Sequence, residues 1–351
     1  MDGSTAALLV AGALGLALNA YVLLAGADFG GGVWDLLARG PRCDRQRALI
    51  ANAIAPVWEA NHVWLILAVV LLFACFPPAF ARLSVVLHIP LTLMLVGIVL
   101  RGSAFIFRAY DTRDDATQRR WGIIFAVAST ITPVLLGVCI GAVASGAVGR
   151  AAHAADAAGV SFADVYLRPW LAPFPLGVGA LALALFAFIA AVYLTVEARD
   201  EPLQDDFRRR ALAAAGAVFV VAFGVLALAQ VEAPAMAAAL TRSGWALGFH
   251  LATGAAALTA IGALWRRAWR VARAAAAVQV SCILWGWLAG QFPYLIPPSL
   301  TIGGAAAPPA TLRLVLWGLA AGAVVLFPSL YYLMRVFKGP RARPAAPRGD
   351  A

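Results

Sequence analysis

Residues 174–196 read FPLGVGALALALFAFIAAVYLTV, a stretch without a single charge. A helix crossing a ~30 Å hydrocarbon core needs about 20 apolar residues. This run is long enough to span a bilayer, and it is apolar on every face, so it does not suit the surface of a water-soluble bundle. Working outward, eight further runs of the same kind occupy residues 6–26, 52–75, 79–100, 121–147, 211–231, 244–264, 276–296 and 311–337. The expected fold is therefore an all-α integral membrane protein with nine transmembrane helices. It forms a single polytopic membrane domain over residues 1–340, with a basic tail at 341–351. The first run lacks the basic lead of a signal peptide and is read as a true span.

Composition agrees. Hydrophobic residues make up 63% of the 351 residues and charged residues only 13%, against roughly 45–50% and ~25% in ordinary globular proteins. These values exclude soluble, disordered and collagen-like chains. Cys43, Cys75, Cys139 and Cys282 lie far apart, with neither disulfide-scaffold nor metal-ligand spacing.

The net charge of +10 invites comparison with nucleic-acid binders, but its placement argues against one. Of the 27 Lys and Arg residues, 22 fall in the connections after runs one, three, five and seven and in the C-terminal tail. Basic residues stay on the cytoplasmic side during insertion. The pattern predicts an outside N-terminus, a cytoplasmic C-terminus and an odd number of crossings. The arginines report topology and attraction to membrane lipid, with no nucleic-acid partner.

Ionisable groups inside a span are costly and mark candidate sites. The densest set is Trp58-Glu59-Ala60-Asn61-His62-Val63-Trp64. Glu59 and His62 share a helical face, and continuation of the helix would put Asn52 there too. A carboxylate–imidazole pair below the cytoplasmic surface suits proton passage; a satisfied contact between helices, framed by Trp58 and Trp64, is the alternative. His88, two residues before Pro90, falls near the middle of run three, and His250 falls in run seven. With His62 they offer the ingredients of a b-type haem site as a rival reading. Gly26-Ala27-Asp28-Phe29-Gly30-Gly31-Gly32 ends the first run. It reads either as a helix-ending turn or as a proton mouth at Asp28. Arg101 and Arg108 flank the cytoplasmic end of run three, where they would reach lipid phosphates or an acid such as Asp111. The segment from Gln291 to Ala310 is too apolar to float, and is expected to pack on a partner or on the outer face of the bundle. A stand-alone proton-coupled transporter could use the same Glu59–His62 pair, with Pro90 and the glycine run as gates.

Several of these motifs together resemble one family. Gly26-Ala27-Asp28-Phe29-Gly30-Gly31-Gly32 is similar to the first-helix exit of subunit II of cytochrome bd-type quinol oxidases. Trp58 to Trp64, then Phe76-Pro77, resembles that family's second-span motif, and Arg101-Gly102-Ser103-Ala104-Phe105-Ile106-Phe107-Arg108 its third loop. Trp285-Gly286-Trp287 through Pro297 resembles its C-terminal segment, nearest the cyanide-insensitive branch. The resemblance implies two four-helix bundles plus one peripheral helix in the inner (plasma) membrane of a prokaryote. It implies a terminal oxidase in which a separate subunit I carries haems b and d and the quinol-oxidising loop. This chain would then hold no catalytic residue, no metal and no directly bound cofactor, with room for a bound quinone or lipid and a small accessory subunit. It would supply a proton path through Asp28, Glu59 and His62, with Asn61, Trp58, Trp64, His88 and Arg101 in support. His62 and Ile106 stand where the family often has acids.

Overall fold

The computed structural model describes residues 2–54, 58–110, 115–155 and 159–338. The first helix, α1 (Gly3–Leu36), starts where the Asp2 side chain accepts a hydrogen bond from the Thr5 amide at 3.1 Å, satisfying a donor left orphaned by the first turn. After it, α2 (Cys43–Ile54) buries Gln46, Ile50 and Ile54 on one face. Then come α3 (Trp58–Cys75), α4 (Pro77–Val86), α5 (His88–Tyr110) and α6 (Asp115–Ala144). The short α7 (Ala147–Ala154), α8 (Phe162–Tyr166) and α9 (Arg168–Leu171) lead into α10 (Pro173–Glu197).

The second half is built from α11 (Glu201–Glu232), α12 (Pro234–Arg242), α13 (Ala246–Trp265) and α14 (Trp269–Gln291). An antiparallel pair, β1 (Tyr294–Ile296) with β2 (Leu300–Thr301), then α15 (Ile302–Ala305) and α16 (Pro309–Lys338) complete the chain. Proline opens α4, α10, α12 and α16, at positions whose missing N–H has no helical partner to lose.

The stretch 174–196 lies within α10, the centre of the molecule, packed against α1, α6, α11 and α14. Every residue from Leu185 to Val192 is buried, as all-round apolarity requires. Among the described residues, eight helices are long and apolar enough to cross a membrane. The pair Asn61–Cys75 and Pro77–Val86, bent by 115°, brings the number to nine when the two are counted as one broken span.

That bend corrects the expected run 79–100. The crossing helix starts at His88, because Pro77 and Pro78 end α3 and turn α4 aside. Pro90 consequently lies in the first turn of α5 and kinks nothing. Likewise the run expected at 276–296 is α14, which begins seven residues earlier and ends at Gln291.

The two ends of the bundle differ in chemistry. At the charged end, Arg42 grips Asp206 with Nε at 2.8 Å and Nη2 at 2.6 Å. Gln46 donates to the same carboxylate at 2.9 Å and accepts from Arg210 at 2.7 Å. Arg45–Asp200 at 3.0 Å and Arg267–Asp205 at 3.1 Å extend this network. The connections after crossings one, five and seven are thereby drawn together. At the opposite end, the Ala307 amide donates to the Cys75 carbonyl at 2.8 Å, and Arg82 donates to Ser299 at 2.9 Å. Ile296, Leu300, Ala305 and Ala307 bury themselves beside Cys75, Phe76 and Ala79, so the segment after Gln291 packs on its own bundle.

Candidate functional site

The glycine run does not end α1. The helix continues through it to Leu36, and the glycines serve close approach instead of a turn. A Cβ on Gly30 would land on the Phe186 carbonyl oxygen of α10, and one on Gly32 would land on Ser129 of α6. With those neighbours drawn in, Asp28 is sealed at 0% exposure, eight residues before the helix ends.

Its partner is Arg101 on α5, itself 2% exposed. The Arg101 guanidinium forms an ion pair with the Asp28 carboxylate and donates through Nε to Ser129 Oγ at 3.0 Å. Ser129 can accept because its own hydroxyl donates to the Phe125 carbonyl at 2.6 Å. The cation sits between two rings, 4.6 Å from the Phe29 centroid and 5.0 Å from that of Phe125, and their negative faces favour it in a desolvated site. Asn61 on α3 donates to the other Asp28 oxygen at 2.5 Å. Four helices therefore meet at one buried pair. Arg101 was expected at the lipid headgroups or beside Asp111; the acid it pairs with is Asp28, since an unpaired cation buried here would cost several kcal/mol. Arg108 and Asp111 lie outside the described side chains.

His62 is half-buried and within electrostatic reach of Asp28. Trp64 is half-buried and packs on the core. The side chains of Trp58 and Glu59 lie outside the described residues. Asn52 is exposed on α2.

His88 opens α5, exposed, with Nδ1 2.9 Å from the Val85 carbonyl. His250 is exposed too, with Nε2 2.7 Å from the Leu240 carbonyl. His250 falls within the crossing helix α13 as expected, whereas the late start of α5 moves His88 from the middle of its crossing to the first residue. Both side chains face away from this chain's own core, so they do not converge on a common site within it. Among the described residues, no three His, Cys, Asp or Glu side chains gather where a metal ion could sit.

A cavity of about 20 Å³ adjoins Asp28 on the side toward the charged end. Its walls include Asp28 and Gly31 of α1, Ile54 of α2, and Ala190, Tyr193 and Glu197 of α10. That volume holds one water molecule. Ser129, Tyr193 and Glu197 escaped the sequence reading. A buried arginine demanding both a counter-ion and a hydroxyl was the only available signal for Ser129, while Glu197 looks like an ordinary span-end acid.

The fold and the site define a polytopic membrane subunit organised around one buried aspartate–arginine pair. The chain belongs to the cytochrome bd terminal oxidase subunit II family, whose description matches residues 6–337. It is a multi-pass inner-membrane protein. It is 28% identical over 201 residues to cytochrome bd-I ubiquinol oxidase subunit 2 of Escherichia coli (strain K12), covering 54% of this chain and 48% of that protein. It is 33% identical over 119 residues to cytochrome bd ubiquinol oxidase subunit 2 of Bacillus subtilis (strain 168), covering 34% of each. The alignment thus spans about half the length of the Escherichia coli relative. The bd oxidase structure from Geobacillus thermodenitrificans contains a chain of the same fold, with TM-score 0.75 at 22% identity, covering 95% of this chain and 98% of that one.

Proposed function

We propose that this chain is subunit II of a terminal oxidase that oxidises a membrane quinol and reduces O2 to water. In this reading its partner is a subunit I that carries the haems and the quinol-oxidising loop. No cofactor is held directly by this chain in that reading. The N-terminus lies outside and the C-terminus in the cytoplasm. The family match over residues 6–337 supports this reading above a stand-alone transporter.

Within the complex this chain offers cytoplasmic protons a path through Asp28, Glu59 and His62. The observation that carries the path is the sealed Asp28, held by Arg101 and Asn61 beside a one-water cavity that faces the charged end. The Arg101 guanidinium and the Asn61 amide hold the Asp28 carboxylate in place on this path. Oxygen consumption by the purified two-subunit complex tests the path. Glu59→Gln removes an ionisable carboxyl at nearly constant volume and is expected to slow turnover about tenfold or more, with haem absorption intact. Unchanged turnover would reject the path.

A further inference from the structure

The end of the bundle away from the charged network holds an open cleft of about 520 Å³, where α6 stops, α10 starts and α11 stops. Ser145, α7, Asp164, α9 and the last residues of α11 wall it. Two walls are fixed in place. A Cβ on Gly149 of α7 would strike the Pro297 carbonyl oxygen, and the buried Trp170 of α9 donates to the Tyr166 carbonyl at 2.6 Å. Few Lys and Arg residues fall in the connections at this end, yet Arg150 and Arg168 both line the cleft. Arg168 forms an ion pair with Asp164. Arg150 gives Nη1 to the Ser145 carbonyl at 3.1 Å, and Glu232 accepts through Oε2 from the Phe174 amide at 2.8 Å. Among the described residues neither Arg150 nor Glu232 has an ion-pair partner. The cleft therefore offers one cation and one anion that leave each other unneutralised. From its rim Val231, Ala227, Gly224 and Val220 are exposed and share one face of α11. A Cβ on Gly224 would meet only open space, so this face is a shallow apolar furrow running down the span.

We infer that this cleft seats the headgroup of a zwitterionic phospholipid, its phosphate on Arg150 and Arg168, its ammonium toward Glu232 and an acyl chain along the furrow of α11. The inference does not depend on the proton path. A guanidinium carries five N–H donors, so Arg150 and Arg168 can keep their present partners and still bind phosphate oxygens. Such charge-assisted bonds are the strong kind. Glu232 caps α10 with one oxygen and has the other for an ammonium. The furrow separates a lipid from a soluble phosphoester, since only the lipid has chains to cover Val231 and Val220, which are 82% and 69% exposed.

The test uses the complete two-subunit complex, stripped of loosely held lipid in detergent. It is titrated with phosphatidylethanolamine, phosphatidylglycerol or free phosphoethanolamine, and bound molecules are counted by native mass spectrometry. Arg150→Gln with Arg168→Gln should weaken the binding of one phosphatidylethanolamine about tenfold or more, with unchanged haem absorption. Glu232→Gln keeps a carbonyl for the Phe174 amide but loses the charge. It should abolish the preference for phosphatidylethanolamine over phosphatidylglycerol at that site. Free phosphoethanolamine, which lacks the chains, should bind at least about tenfold more weakly than the lipid; equal binding would overturn the lipid assignment. A double variant that binds as many phosphatidylethanolamine molecules as tightly as the unaltered complex would overturn the site. Should the double variant not assemble, E232Q carries the test, and a lipid preference unmoved by it refutes the inference.

Discussion

Arg101 has two separable duties, and substitution can part them. Removing it leaves the Asp28 carboxylate buried without its cation, which costs about 3–5 kcal/mol. Arg101→Leu should therefore depress the melting temperature of the purified complex and its yield. Removing both charges, as in Asp28→Leu with Arg101→Leu, abolishes the uncompensated charge and should recover much of that stability. Turnover should not recover with it if Asp28 relays protons. A melting curve and an oxygen electrode on the same three preparations decide the matter. If the double variant is no more stable than R101L, the pair is not the dominant electrostatic term at this crossing.

At the scale of elements, α1 shows how glycine sets helix spacing. The Phe186 carbonyl occupies the place of a Gly30 side chain, so Gly30→Ala must push α1 away from α10. Overpacking of this kind costs about 1–3 kcal/mol. Gly12, on the same helix, has open space where its Cβ would lie. Gly12→Ala should be neutral or slightly stabilising, since glycine inside a helix costs roughly 0.5–1 kcal/mol relative to alanine. Thermal melting of the two variants tests the contrast, and equal effects would mean that the close approach is not what holds this helix pair.

Most elements were legible. The apolar runs announce themselves locally. What was not legible was decided by tertiary contact. Asp28, Asn61 and Arg101 each stood out as polar groups within or beside spans, yet nothing in their spacing paired residues 28 and 101 across two helices. The glycine run fits a turn and a close approach equally well until the neighbours are known. Phe76-Pro77-Pro78 did mark a break, but the apolar residues of α4 merged with those of α5 into one window, which displaced the third crossing and put His88 at mid-membrane.

For the whole molecule, the two ends carry different fastenings, and orientation follows from them. Arg42 and Arg45 belong to the connection after the first crossing and Arg267 to the one after the seventh, yet all pair with acids at the start of α11, in the connection after the fifth. These connections therefore lie at one end of the bundle, as an alternating basic pattern requires. A fluorescent protein fused after residue 340 should mature and emit in the cytoplasm. Alkaline phosphatase fused at the same point should be inactive. Active phosphatase there would invert the topology and detach the charged end from the cytosol.

The lid at the opposite end, where α4 folds aside and the β1–β2 segment settles over Cys75 and Phe76, has an electrical meaning. Beneath it Val10, Leu14, Leu71, Leu87 and Val138 form an oily layer, and moving an ion from water into such a medium costs on the order of 20 kcal/mol in the idealised limit. On the proposed path, a hydrogen ion that reaches Asp28 meets insulation on its far side, so a path of that kind would feed the reaction without short-circuiting a stored membrane voltage.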